Sequence, residues 1–189
     1  KRIDAASIDL GGIAKGYGID CAARAMIDAG AAVGQVNVGG DLRCFGTTGH
    51  RKAWPVKIRH PFDKADICGT LLLTDAAVAT SGDYHRYFEI AGVRYSHIVD
   101  PRTGAALPQG HASSVTVVSV TTESSPPSAT ATDAWATALS VLGPDGLKLI
   151  NGRPGLEAMI VTGSPKDHKI HMSKGFEALL EPGTQVKLD

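Results

Sequence analysis

The segment DLGGIAKGYGID, residues 9–20, decides how this chain folds around its candidate site. It places four glycines, one lysine and two carboxylates between a short apolar strand pattern at 8–10 and a long helical pattern. A glycine-rich turn that opens a helix exposes backbone N–H groups, and those groups favour a bound phosphate. Taken alone, the segment indicates either a site for a nucleotide-like ligand or a helix entrance built for tight packing.

The glycine spacing departs from two well-known phosphate-binding motifs. Gly11 and Gly16 have the separation of a P-loop, but Tyr17 follows where a P-loop has lysine and then serine or threonine. Lys15 stands one place too early for that motif. The segment also lacks the G-x-G-x-x-G fingerprint of dinucleotide-binding folds. Other parts of the chain must therefore decide which ligand is bound.

Composition predicts that residues 1–189 form one soluble domain with a substantial core, or one lobe of a larger protein. The chain is 43% hydrophobic and 20% charged, and its 19 basic residues balance its 19 acidic residues. This balance gives no electrostatic reason to expect nucleic acid as a partner. We expect no transmembrane segment, because no apolar run approaches the roughly 18–20 residues of a membrane span. The polar opening KRID carries no leader signal, so the compartment stays open.

Hydrophobic periodicity predicts an α+β fold with a largely antiparallel sheet packed with helices. The first helix is expected at 16–29, with Ile19, Ala22, Ala23, Met26 and Ile27 on one face. Two more helices are expected at 131–142 and 147–151, and a helical turn at 176–180. A strand end is expected at 8–10, and strands are expected at 35–38, 54–60, 70–74, 77–80, 84–90, 94–99, 113–121, 158–162 and 169–172.

A second polar cluster, SHIVDPRTG at 96–104, follows a predicted hairpin strand. His97 titrates near neutral pH and can accept a proton from a hydroxyl group. Asp100 either orients that histidine or caps the turn, as aspartate before proline often does. Two smaller segments, NVGGD at 37–41 and ATSGDY at 79–84, are either plain turns or walls of a ligand cleft.

A third cluster lies inside the helix predicted at 131–142. Asp133 and Thr137 are four residues apart and therefore share one helical face. A carboxylate and a hydroxyl suit Mg²⁺, which keeps several waters and takes further oxygen ligands from a substrate phosphate. The alternative is that Asp133 interacts favourably with the helix dipole and that Thr137 only fills space.

Taken in order, these segments resemble the ApbE family of FAD:protein FMN transferases. The resemblance runs through residues 9–20, 37–42, 80–88, 97–104, 118–120 and 133–142, and it covers nearly the whole chain. Members of that family usually carry a further N-terminal portion that supplies part of the flavin pocket. This sequence begins just before the glycine-rich segment, so we expect a partial version of the family domain.

The resemblance implies a role for each matched residue. It implies that Gly12, through its backbone oxygen, Asp133 and Thr137 are Mg²⁺ ligands, and that His97 is the catalytic base. The residues implied to contact FAD are Asp9, Lys15, Gly39, Gly40, Ser81, His97 and Ile98.

The implied activity is the Mg²⁺-dependent transfer of FMN from FAD to a threonine or serine of an acceptor flavoprotein, with release of AMP. Two alternatives stay open: an FAD pyrophosphatase that yields FMN and AMP, and a non-catalytic lobe that binds FAD. Family members include exported lipoproteins at the periplasmic side of a membrane and cytoplasmic proteins, so the localisation of this chain stays undetermined.

Overall fold

The computed structural model describes residues 7–47, 49–50, 52–63, 65–82, 87–90, 93–184 and 186. Its helices are α1 (Ala14–Asp28), α2 (Ala129–Leu142) and α3 (Leu147–Ile150), with 3₁₀ turns at Gly143–Gly146 and Phe176–Leu179. Its strands are β1 (Gly34–Val38), β2 (Asp41–Phe45), β3 (Trp54–Arg59), β4 (Ile67–Leu73), β5 (Ala76–Gly82), β6 (Tyr87–Ile90), β7 (Val93–Ser96), β8 (Ser114–Val120), β9 (Leu156–Ser164) and β10 (Asp167–Met172).

A six-stranded sheet forms the centre of the fold. Its strand order is β1-β2-β5-β8-β9-β10, and every neighbouring pair is antiparallel. Two separate hairpins, β3–β4 and β6–β7, are also antiparallel. The predicted α+β class with a largely antiparallel sheet is therefore confirmed.

The two faces of the central sheet pack against different layers, because successive side chains of a strand point to opposite sides. In β8, Val115 and Val117 join the apolar cluster under α2, whereas Val118 joins the cluster under the β3–β4 hairpin. The helix-facing cluster includes Ala136 and Leu139 of α2. The sheet is thus covered by helices on one face and by a hairpin on the other, and the side chains of residues 41 and 43 of β2 fall on the helix face.

Helices α1 and α2 approach each other closely at Gly16. A Cβ atom at this position would lie 2.1 Å from the carbonyl oxygen of Ala129, so only glycine fits. The buried residues of α1 are Gly16, Ile19 and Ala23. The apolar face predicted for this helix is only partly buried, since Met26 and Ile27 are 37% and 38% exposed.

The start of α2 is stabilised by the carboxylate of Asp20, which lies in α1. This carboxylate accepts hydrogen bonds from the backbone N–H groups of Ala129 and Thr130, at 3.0 and 2.9 Å, and also binds Arg43 at 2.7 Å. Burial works to raise the pKa of Asp20, but the bonds from Thr130, Ala129 and Arg43 outweigh burial and hold that pKa below its ordinary value. Ser128 completes the cap by accepting from the Ala131 N–H.

Two local predictions differ from the structure. Residues 8–10 form no strand, and the stretch leads directly into the turn before α1. Strand β2 is absent from the predicted strands, which leave 42–45 unassigned and place Asp41 in a turn. Part of the strand predicted at 84–90 lies outside the described residues, which resume at Tyr87.

Within the described ranges, the helices are too short or too polar to cross a membrane.

Candidate metal and phosphate site

The candidate site lies at one end of the central sheet. Strand β5 ends at Gly82, which pairs with Ser114 at the start of β8. The intervening segment, which contains His97, therefore leaves and rejoins the sheet at this end. Thr80 marks the same end, since its backbone N–H donates to Oδ1 of Asp41 at 3.1 Å.

Lys15 lies between two buried carboxylates from different elements. Its Nζ contacts Oδ2 of Asp41 closely and lies 3.6 Å from Oδ1 of Asp133. Asp41 and Asp133 are 3% and 2% exposed, whereas the lysine side chain is 45% exposed. Burial raises the pKa of Asp41 above its ordinary value, although the hydrogen bond and positive charge of Lys15 act in the opposite direction. The ammonium group therefore lies within reach of both acids and of solvent.

The first turn of α1 is connected to the middle of α2. The backbone N–H of Gly16 donates to Oδ2 of Asp133 at 3.0 Å. In a regular helix this N–H would donate to the carbonyl four residues earlier, that of Gly12. Here the Gly16 N–H donates to the Asp133 carboxylate instead of to the Gly12 carbonyl. The predicted helical face of Asp133 is thus turned toward the glycine-rich segment.

Gly12 packs directly on Thr137. A Cβ at Gly12 would lie 3.0 Å from the hydroxyl oxygen of Thr137 and 3.1 Å from its methyl carbon. The glycine therefore brings its backbone next to that hydroxyl, one helical turn beyond Asp133. The structure brings together Gly12 and Lys15 of the glycine-rich segment with Asp133 and Thr137 of α2, four residues that the family resemblance places in the metal and FAD site.

The donor set of this group fits magnesium better than a softer metal. Across the described residues there is no group of three or more His, Cys, Asp or Glu side chains that could hold a metal ion. One carboxylate oxygen, one hydroxyl and one backbone carbonyl are hard oxygen donors, and Mg²⁺ bound in this way completes its shell with waters and phosphate oxygens. Residues Gly12, Asp133 and Thr137 therefore fit such an ion.

Four of the predicted FAD contacts lie beside this group. Gly39 and Gly40 form the tight β1–β2 turn, with φ of +63° and +103°, and lead directly into Asp41. Ser81 is half-buried and follows Thr80 in β5. The exposed Asp9 accepts a hydrogen bond from the Gly11 N–H at 2.6 Å and so shapes the turn before α1.

His97 and Ile98 lie on a different element, immediately after β7. His97 is exposed, and the Ile98 backbone donates to the Ser96 hydroxyl at 3.1 Å. Asp100 holds the following turn, because its carboxylate binds the Arg102 guanidinium at 2.7 Å and the Arg102 N–H at 2.9 Å. These bonds lower the pKa of Asp100 to about 2. This geometry supports the turn-capping alternative for Asp100.

Sequence reasoning did not assign a role to two acidic residues that organise the site. Asp41 was placed in a turn, although Gly39-Gly40 followed by an alternating segment is a recognised hairpin signal. Asp20 ends the glycine-rich segment, and its link to Thr130 spans 110 residues. Such a distant pairing leaves no local sequence signal.

Comparison with known proteins identifies the family. Residues 1–160 match the ApbE family. The FAD:protein FMN transferase of Escherichia coli K12 is 35% identical over 174 residues, which cover 92% of this chain and 47% of that protein. The enzyme of the same name from Rhodobacter capsulatus is 37% identical over 82% of this chain and 28% of its own length.

Solved structures give the same result. The ApbE protein of Thermotoga maritima superposes with a TM-score of 0.78 at 36% identity, covering 93% of this chain and 54% of that one. The flavin transferase ApbE of Vibrio cholerae gives a TM-score of 0.78 at 30% identity, covering 95% and 55%. The chain spans about half the length of the curated relatives from enteric bacteria that it matches. By sequence and by fold, it belongs to the ApbE family.

Proposed function

We propose that this chain provides the metal and phosphate part of an FAD:protein FMN transferase. In this reaction FMN passes from FAD to a threonine or serine hydroxyl of an acceptor flavoprotein, and AMP is released. The proposal is supported by the names of the relatives and by the residues that converge at the end of the sheet. The observation that carries it is the Gly16–Asp133 bond, because it joins the glycine-rich segment to α2 one helical turn from the contact between Gly12 and Thr137.

The reaction is a substitution at phosphorus. The acceptor hydroxyl oxygen forms a bond to the phosphorus on the FMN side of the pyrophosphate. The bond from that phosphorus to the bridging oxygen breaks, and AMP leaves with this oxygen and the bonding electrons. The hydroxyl proton must pass to a base. Such chemistry needs positioning and neutralisation of phosphate charge more than it needs covalent catalysis.

The residues divide this work between them. Gly12, Asp133 and Thr137 would hold Mg²⁺, which supplies positive charge to the phosphoryl oxygens when bound. Lys15, whose side chain reaches solvent, stabilises negative charge on the pyrophosphate. His97, which is exposed after β7, takes the proton from the acceptor hydroxyl. Asp9, Gly39, Gly40, Ser81 and Ile98 line the flavin-nucleotide cleft around them.

The test measures two products at once. The chain is incubated with FAD, Mg²⁺ and an acceptor domain that carries the target threonine. Covalent flavin is detected by in-gel fluorescence, and AMP is measured by chromatography. We expect flavin on the acceptor and AMP in equal amounts. AMP without labelled acceptor would instead identify a pyrophosphatase, and FAD binding without AMP would identify a non-catalytic lobe.

Two variants assign the roles, each with a matched control. His97→Ala should keep FAD binding and lose transfer, whereas His50→Ala, at an exposed position after β2, should behave as the unmodified chain. Asp133→Ala should lose the dependence on Mg²⁺. Asp145→Ala, at the exposed start of the 3₁₀ turn after α2, is its control. Normal transfer by His97→Ala, or unchanged Mg²⁺ affinity in Asp133→Ala, would contradict these assignments.

A further inference from the structure

Asp41 is a buried acid that has no direct part in the proposed reaction. Both of its carboxylate oxygens are occupied: Oδ1 accepts from the Thr80 N–H at 3.1 Å, and Oδ2 contacts Lys15 Nζ. The strand position of Asp41, directly after the Gly39-Gly40 turn, fixes it on the helix face of the sheet. The Thr80 N–H therefore fixes one oxygen of this carboxylate from the backbone, and the other oxygen contacts Lys15.

Asp133 differs from Asp41 in how its oxygens are used. Its Oδ2 is fixed by the Gly16 N–H at 3.0 Å, while Oδ1 has the ammonium of Lys15 at 3.6 Å, a longer separation than that of a direct hydrogen bond. One ammonium thus serves two buried carboxylates, and it lies closer to Asp41. Lysine is a point charge on a flexible stem, so its location depends on which acid holds it.

We propose that Asp41 is a positioning residue that holds Lys15 away from Oδ1 of Asp133. Without the charge of Asp41, the ammonium would pair with Asp133 and occupy the oxygen that a divalent cation needs. With Asp41 present, the cation and the lysine can act side by side, each on its own carboxylate. This inference rests on the proposed function for its consequence, but its structural part requires neither metal nor flavin.

The first experiment follows the Lys15 ammonium group itself. In a ¹H–¹⁵N spectrum selective for lysine side chains, the Lys15 signal is assigned by its loss in Lys15→Met. Asp41→Asn retains an oxygen that can accept from Thr80 and removes the charge. We expect this variant to shift the Lys15 signal more than Asp133→Asn does. A Lys15 signal that does not move in Asp41→Asn would overturn the proposal, whatever reaction the protein catalyses.

The second experiment measures Mn²⁺ affinity by calorimetry in a double-mutant cycle. We expect Asp41→Asn to weaken Mn²⁺ binding about three- to tenfold, and Lys15→Met to raise the affinity more in the Asp41→Asn background than in the native one. If Asp41 contributed only its negative charge, the two substitutions would be additive. Additivity of the two changes in affinity to within about twofold would therefore overturn the proposal.

A third measurement covers the case in which Asp41→Asn does not fold. Lys15→Met alone leaves both carboxylates in place. Because Asp41 already holds the ammonium, removal of the lysine should raise Mn²⁺ affinity less than about threefold. A larger increase would show that Lys15 occupies Asp133 despite Asp41, and it would refute the positioning role. Transfer activity is not used in any arm, so failure of the proposed reaction is recognised separately.

Discussion

The contact between α1 and α2 makes a quantitative prediction at Gly16. In Gly16→Ala the new methyl carbon would lie 2.1 Å from the Ala129 carbonyl oxygen, 2.6 Å from its carbon and 2.8 Å from the Cα of Thr130. All three atoms belong to the backbone, so no side-chain rotation relieves the overlap. Ordinary contact needs about 3.5 Å, and the helices would have to separate by about 1.4 Å.

Two opposing effects set the expected change in the free energy of unfolding of Gly16→Ala. Overpacking of this kind destabilises by about 1–3 kcal/mol, and a backbone contact places Gly16→Ala at the upper end. Alanine in a helix interior regains about 1 kcal/mol over glycine. The net loss is therefore about 2 kcal/mol, which lowers the melting temperature of a domain of this size by about 4–8 °C.

Gly18 in the same helix provides the matched control. A Cβ at Gly18 meets nothing within 4 Å, so Gly18→Ala keeps only the favourable propensity term and should stabilise by about 0.5–1 kcal/mol. The assay is urea unfolding followed by circular dichroism, with Mn²⁺ binding measured on the same samples. Gly16→Ala should also bind Mn²⁺ more weakly, because Asp133 is bonded to the Gly16 N–H. Equal stabilities of the two variants would refute the reasoning.

Three further predictions address the site and its supports. Hydrogen bonds lower the pKa of Asp20, so its stabilising effect is complete above the ordinary aspartate pKa of 3.8 and is lost as the pH falls through the lower folded pKa. Asp20→Asn should therefore be less stable than the native chain at pH 7. In acid-unfolding titrations this difference in stability should vanish at low pH. Thr137→Val preserves the shape of the side chain, so calorimetry should show Mn²⁺ binding about 10- to 100-fold weaker, with an unchanged unfolding midpoint. Phe176→Ala, on the opposite face of the sheet, should cost about 3–5 kcal/mol in denaturant unfolding while Mn²⁺ affinity of the folded protein stays the same.

Many of the strands could be predicted because the central strands of the sheet have a local residue pattern typical of β-structure. The four valines and one threonine of β8 form a strong local pattern, and the placement of Val115 and Val118 on opposite faces follows from it. The strand order could not be predicted, since β5 pairs with β8 across an excursion of more than thirty residues. Local patterns do not encode such pairings.

The site was predicted in its helical part and incompletely in its sheet part. Asp133 and Thr137 are four residues apart, and helix geometry alone is enough to predict that they share one face of α2. Asp41 was overlooked because it directly follows Gly39-Gly40 and was assigned to that turn, whereas it is the first residue of the buried strand β2. The two buried charged residues of β2 are explained by their ion-pair partners in the fold. Asp41 pairs with Lys15, and Arg43 pairs with Asp20.

The glycine-rich segment explains why the two halves of the site meet. Its residues 12, 16 and 20, spaced four apart, face α2. They contact Thr137, Asp133 and Ala129 respectively, which are also spaced four apart. The two helices therefore run antiparallel where they touch, and one turn of α1 corresponds to one turn of α2. Asp20 at one end of this contact fixes the start of α2, and Gly16 excludes any side chain at its centre. Together these two contacts bring Thr137 opposite Gly12, so the segment both supplies one side of the candidate site and sets the position of the other.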